Sequence, residues 1–150
     1  MCCQQLQVTL EATGKKDCFS AGTVAYENGK KFTLRNPAHK TVCRVKVDDC
    51  LIDAADTRKC DYLFKVCEME KYFLVELKGQ DISTAVTQIV RTYDIVNRKI
   101  KVTADRYKGV IVSSAVPAAT QQHFRKLQDK YYREKQLLII KTHFHHIEAI

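Results

Sequence analysis

The chain has 150 residues, of which 45% are hydrophobic and 28% charged; this is the size of one ordinary domain, and the composition excludes a disordered or collagenous chain. No window approaches ~18 consecutive apolar residues, and the opening MCCQQLQVTL has no basic start before an apolar core, so neither a spanning helix nor a secretory leader is expected. Lys and Arg number 25 against 17 Asp and Glu, a formal net charge of +8, which suits a polyanionic partner without requiring one.

The seven cysteines form no CxxC pair, and Cys43 to Cys50 and Cys60 to Cys67 are each seven apart, which is not a zinc-ribbon spacing. Cys43, Cys50, Cys60 and Cys67 sit in or beside strand-like apolar runs, where a free thiol behaves as a small hydrophobe. The expectation is a reducing, cytoplasmic compartment with no disulfides.

Residues 4–10 and 22–34 have strand-like or mixed patterns, with turn signals at Glu27-Asn28-Gly29-Lys30 and Asn36-Pro37. Residues 42–47 (VCRVKV) alternate apolar and basic, as a half-buried strand does. Asp48-Asp49 suggests a turn, Cys50-Leu51-Ile52 a short apolar piece, and 53–59 a polar turn. Residues 60–67 (CDYLFKVC) and 72–77 (YFLVEL) predict two strands joined by a short link, hence an antiparallel hairpin.

Asp81 reads as a helix N-cap, and Ile82, Ala85, Val86, Ile89 and Tyr93 recur behind it at helical spacing, predicting a helix from 81 to about 97. A strand at 109–116 follows, then Pro117 and a helix over 118–134 with Phe124, Leu127 and Tyr131 inward. A last strand at 137–142 precedes a His-rich tail, read as frayed and polar. A meander feeding helical crossovers predicts an α/β fold, a central mixed β-sheet flanked by helices, as one domain over residues 1–150.

Chemistry concentrates at one end of the hairpin. Glu76 and Lys78 lie two apart and share a strand face, and Asp61 opens the preceding strand at the same sheet end. Two carboxylates are what a hard cation such as Mg²⁺ needs, and a lysine beside them can orient or deprotonate a water. Glu-x-Lys on a strand is by itself a weak pattern. Here it punctuates a continuously apolar run, Gly79 follows directly, and Gln88 lies on the flank of the next helix's apolar stripe.

Asp61, then Tyr72-Phe-Leu-Val-Glu76-Leu-Lys78-Gly79, then a helix bearing Gln88, resembles the PD-(D/E)XK, or restriction-endonuclease-like, nuclease superfamily. The likeness covers the middle half of the chain and implies an α-β-β-β-α-β core with helices on both sides of a mixed sheet. It implies that Asp61 and Glu76 hold Mg²⁺ (Mn²⁺ as substitute), with the Leu77 backbone carbonyl as a further ligand. Lys78 would position or activate the attacking water, and Gln88 would help arrange the site. Cys60 stands where the family often has proline. The first helix of the family core, which sometimes adds an acidic residue, has no identifiable counterpart, and neither Glu11 nor Glu27 is assigned that role.

The implied activity is metal-dependent hydrolysis of phosphodiesters, DNA ahead of RNA, in prokaryotic defence or a mobile element. Homodimerisation, or assembly with protein partners, belongs to the same expectation. The alternative is a catalytically weak or inactive nucleic-acid-binding or scaffolding subunit on the same fold. Lys126, Lys130 and Arg133 on the late helix are candidates for phosphate contact; a solvated helix face reads equally well. No membrane partner is expected. His143 and His145 would share a face of an extended segment, a conceivable transition-metal pair.

Overall fold

The computed structural model describes residues 1–54, 58–77 and 81–150. The described residues form helices α1 (Cys2–Thr9), α2 (Ile82–Ile100) and α3 (Ala118–Lys135). Their strands are β1 (Phe19–Ala21), β2 (Val24–Glu27), β3 (Lys30–Arg35), β4 (Val42–Lys46), β5 (Tyr62–Val66), β6 (Lys71–Leu77), β7 (Tyr107–Ser113), β8 (Leu138–His143) and β9 (His145–Ala149). The main sheet has the order β1-β4-β5-β6-β7-β8. Its first four strands pair antiparallel, and β6-β7 and β7-β8 pair parallel across the α2 and α3 crossovers. The fold is α/β, a mixed sheet flanked by helices. Among the described residues no helix is long and apolar enough to cross a membrane.

Strand β6 is central, and from Tyr72 to Leu77 every residue is buried. That is why its sequence is apolar without alternation: both faces are covered. On one face Leu63, Leu74, Ile111 and Ile139 pack against Leu6 of α1, Ile82, Ala85, Val86 and Ile89 of α2, and Phe124 of α3. On the other, Phe64, Phe73, Val75, Leu77, Val110 and Val112 pack against Ala25, Phe32 and Leu34. Those last three belong to a small sheet of order β2-β3-β9. The resemblance implied helices on both sides; here the second side is occupied by a sheet, whose Ala25, Phe32 and Leu34 face inward while Tyr26 is exposed.

Local signals act as elementary chemistry dictates. The Asp81 carboxylate accepts from the Thr84 N–H at 3.1 Å and caps α2, a contact of about 1 kcal/mol. Asn28 and Gly29 both have positive φ and turn β2 into β3 in the tight two-residue manner that Asn-Gly favours. Asp49 lies in a turn with φ 57°. A Cβ at Gly109 would meet Ile89 Cγ2 at 2.8 Å, so α2 approaches β7 as closely as it does only because no side chain intervenes.

Three expectations are corrected. Residues 4–10 are not strand-like: Cys2–Thr9 is helical. Leu6, Val8 and Leu10 mimic a period of two, but Val8 is 65% exposed while Leu6 and Leu10, one helical turn apart, are buried. The C-terminal tail is not frayed. Residues 145–149 form β9, parallel to β3 from Lys31↔His145 to Arg35↔Ala149. Its half-buried positions are His146 and Glu148 whereas Ile147 is exposed, the reverse of the usual hydropathy pattern.

The cysteines are not free thiols. Cys2–Cys67, Cys3–Cys43 and Cys18–Cys50 are disulfides, and Cys60 remains as a buried thiol. The partners lie 65, 40 and 32 residues apart, so short-range spacing carried no trace of them. One bond ties α1 to β4 and another ties it to the 3-10 turn Cys67–Met69 between β5 and β6. The third tethers the turn after β4 to the 3-10 turn Thr13–Cys18, whose Lys15 Nζ also donates to the Leu51 carbonyl at 3.0 Å.

Candidate functional site

The site lies where β5 begins and β6 ends. Tyr62 pairs with Val75, and the Asp61 N–H also donates to the Val75 carbonyl at 3.1 Å. Two residues thus oppose one, as at a β-bulge, a device that re-aims side chains at sheet edges. Asp61 Oδ2 then accepts the Leu77 N–H at 2.8 Å. The Asp61 side chain thereby takes the place of a backbone acceptor in the ladder, bonded to the amide that follows Glu76.

Glu76 is 1% exposed and Asp61 9%. Both charges are felt at Cys60, whose thiol is pushed well above its ordinary pKa by burial first, then by Glu76, with a smaller contribution from Asp61. The expected proline position therefore carries an inert thiol. Its Sγ donates to the Tyr62 carbonyl at 3.4 Å.

Helix α2 grips the same segment from the side. Gln88 Nε2 donates to the Lys59 carbonyl at 3.1 Å. Thr92, fully buried, accepts the Cys60 N–H at 2.8 Å while its own hydroxyl donates to the Gln88 carbonyl at 2.8 Å. Gln88 and Thr92 thus hold the Lys59–Cys60 backbone that leads into Asp61, while Asp61 bonds the amide that follows Glu76.

Lys59 was missed by sequence reasoning, which read 53–59 as a polar turn. It is 7% exposed, with Nζ donating to the Ala54 carbonyl at 2.6 Å and lying 3.9 Å from Asp48. A lysine next to Cys60-Asp61 offered no periodicity by which to recognise its burial. Lys78 and Gly79 lie outside the described residues.

The side chains at the site offer oxygen donors, which suit a hard cation such as Mg²⁺ rather than a soft one. Asp61, Glu76 and the Leu77 carbonyl are compatible with one or two carboxylates plus waters or substrate phosphate. Among the described residues no group of three or more His, Cys, Asp and Glu side chains is arranged to hold a metal. His145, considered for a transition metal, has Nε2 3.2 Å from Thr33 Oγ1.

The late helix places Lys126, Lys130 and Arg133 in solvent. Lys126 and Arg133 line a shallow depression with Asp129 and Tyr132, and Lys130 Nζ lies 5.2 Å from the Tyr131 ring centroid.

No family model, curated protein or solved structure matches this chain.

Proposed function

We propose that this chain is a metal-dependent nuclease on a restriction-endonuclease-like core, with DNA preferred over RNA and residues 1–150 acting as one domain. The observation that carries the reading is the bond from the Leu77 N–H to Asp61 Oδ2, which fixes the buried Asp61 carboxylate against the amide that follows the buried Glu76 at a strand end. Asp61, Glu76 and the Leu77 carbonyl are the groups that would hold Mg²⁺ or Mn²⁺. Bound there, the ion would neutralise charge on a phosphoryl oxygen and lower the pKa of a water. Lys78, two residues beyond Glu76, orients that water or takes its proton. Gln88 acts at one remove, by holding the Lys59 carbonyl and thus the approach to Asp61.

The setting belongs to the proposal too. The net charge of +8 and the exposed cations of α3 favour a nucleic-acid substrate, and a role in prokaryotic defence or a mobile element, alone, as a homodimer or with protein partners, follows the resemblance. A cytoplasmic location rested on the cysteine pattern; three disulfides favour an oxidising compartment instead.

The test is cleavage of duplex DNA, single-stranded DNA and RNA with Mg²⁺ or Mn²⁺, by wild type, Glu76→Gln and Lys78→Ala. Cleavage lost in both variants, with circular dichroism unchanged, is the expected result. Cleavage that persists in both refutes the site. No cleavage by wild type, with nucleic acid bound tightly, transfers the reading to the binding or scaffolding alternative.

A further inference from the structure

A second locus lies beside the Asp61 end of the β4–β5 pair. A groove of ≈ 390 Å³ runs between β2 and the β1-β4-β5 margin of the main sheet, lined by Asp17, Ser20, Tyr26, Arg44, Lys46 and Tyr62 among others. The register places Ser20 opposite Arg44 and Lys46 opposite Tyr62, so these four side chains share one sheet face. Tyr62 is the residue after Asp61.

The cations here are held rather than loose. Arg44 Nε donates to Ser20 Oγ at 3.2 Å and Nη1 to the Val24 carbonyl at 2.7 Å, which engages two of the five guanidinium N–H groups and fixes its plane. The guanidinium lies over Gly22, where a Cβ would stand 2.9 Å from Cζ. Lys46 Nζ is 5.9 Å from the Tyr62 ring centroid, a cation–π placement. Tyr26 is 64% exposed, so its ring is open to solvent. Two cations face one carboxylate, Asp17, so the groove favours an anion.

We propose that this groove binds a single-stranded nucleic-acid segment, its phosphates on Arg44 and Lys46 and its bases against Tyr26 and Tyr62. Phosphate contacts give affinity without sequence choice. Aromatic faces accept any unpaired base and are useless to a stacked duplex. The inference deepens the nuclease reading and rests on it for its purpose: the groove would hold a strand at the sheet end where β5 begins, one residue from Asp61.

The test is fluorescence anisotropy of a fluorescein-labelled oligothymidylate of about 12 nucleotides, in EDTA so that no hydrolysis intervenes. A duplex of the same length is the second probe. Wild type is expected to bind the single strand more tightly than the duplex. Tyr26→Ala should weaken binding roughly five-fold or more. Lys46→Ala should weaken it and lessen the slope of log affinity against log salt by about 0.7. Gly22→Ala keeps every charge but displaces the guanidinium, and should also weaken binding. Arg98→Ala, which removes an exposed cation of α2, should leave it within two-fold.

Absent binding, a tighter duplex, unchanged affinity in Tyr26→Ala and Lys46→Ala, or an equal loss in Arg98→Ala would each overturn the proposal. Because binding is read without metal, groove-dependent binding with no cleavage would sink the nuclease reading and leave the groove standing. Cleavage indifferent to the groove variants, with no groove-dependent binding, would do the opposite.

Discussion

Leu77 donates its backbone N–H to the Asp61 carboxylate at 2.8 Å, so a side chain of one strand closes the hydrogen-bond ladder of the next. The bond ties a structural requirement to the proposed chemistry, and the two are separable. Asp61→Ala leaves a buried N–H without its acceptor and should cost about 1–3 kcal/mol in urea denaturation. Asp61→Asn keeps an acceptor oxygen and should recover most of that stability while losing cleavage with the charge. Equal destabilisation by both variants would show that the carboxylate's charge, not its acceptor, holds the strand end.

Cys60 should be the sole thiol to appear on unfolding. Alkylation of the folded, unreduced protein is expected to add nothing, since burial and the neighbouring carboxylates keep the thiol protonated. In denaturant one adduct should form on Cys60, and after reduction all seven cysteines should react. Intact mass spectrometry counts them; more than one adduct before reduction would contradict the disulfides.

Gly109 and Gly14 make a paired test of packing. At Gly109 a methyl group would lie 2.8 Å from Ile89 Cγ2 and 3.1 Å from Ile139 Cγ1, so Gly109→Ala should cost about 1–3 kcal/mol by overpacking. At Gly14 a Cβ meets nothing within 4 Å, and Gly14→Ala should stabilise by about 0.4–1 kcal/mol through the unfolded chain. Melting temperatures moving in the same direction for both would refute the close approach of α2 to β7.

Glu148 predicts an acid limb. Burial pushes its carboxyl up, but hydrogen bonds and charge from His146 and Lys108 outweigh that and hold it below the usual 4.5. A carboxyl depressed on folding contributes stability above its unfolded pKa, and that contribution is lost as pH falls through the folded value. Wild type should therefore melt higher than Glu148→Gln at neutral pH. The gap should close below pH 4.5; a gap independent of pH would mean that packing, not charge, docks β9.

Periodic and local features were legible in the sequence. The α2 stripe with its Asp81 cap, the β5–β6 hairpin and the Asn28-Gly29 turn each rest on residues a few positions apart, where the chain's own geometry sets the pattern. So was the pairing that sets the start of β5 against the end of β6, because a short link between two strands is all that it needs. The features that were not legible are those where a distant partner decides. Cys2 finds Cys67 through tertiary packing, and β9 is a strand through its pairing with the distant β3, where His146 also stacks on Phe32 with centroids 5.9 Å apart. Lys59 is buried because the turn after β4 folds over it, and nothing in its neighbours foretells that. The bulge at Asp61 was invisible for a related reason: it depends on register with Val75, not on residue type.

The parallel pairing of β9 with β3 has a kinetic consequence. Strand β3 emerges early in synthesis, yet it is completed by residues 145–149, so one of its two hydrogen-bonding edges stays open until the C-terminal strand is made. Two-residue turns close in microseconds, whereas a loop of this length pays its closure entropy before any contact rewards it. The half-built small sheet is thus the slow, aggregation-exposed stage of folding, and the basic residues Lys30, Lys31 and Arg35 along β3 supply the charge that discourages edge-to-edge association during that interval.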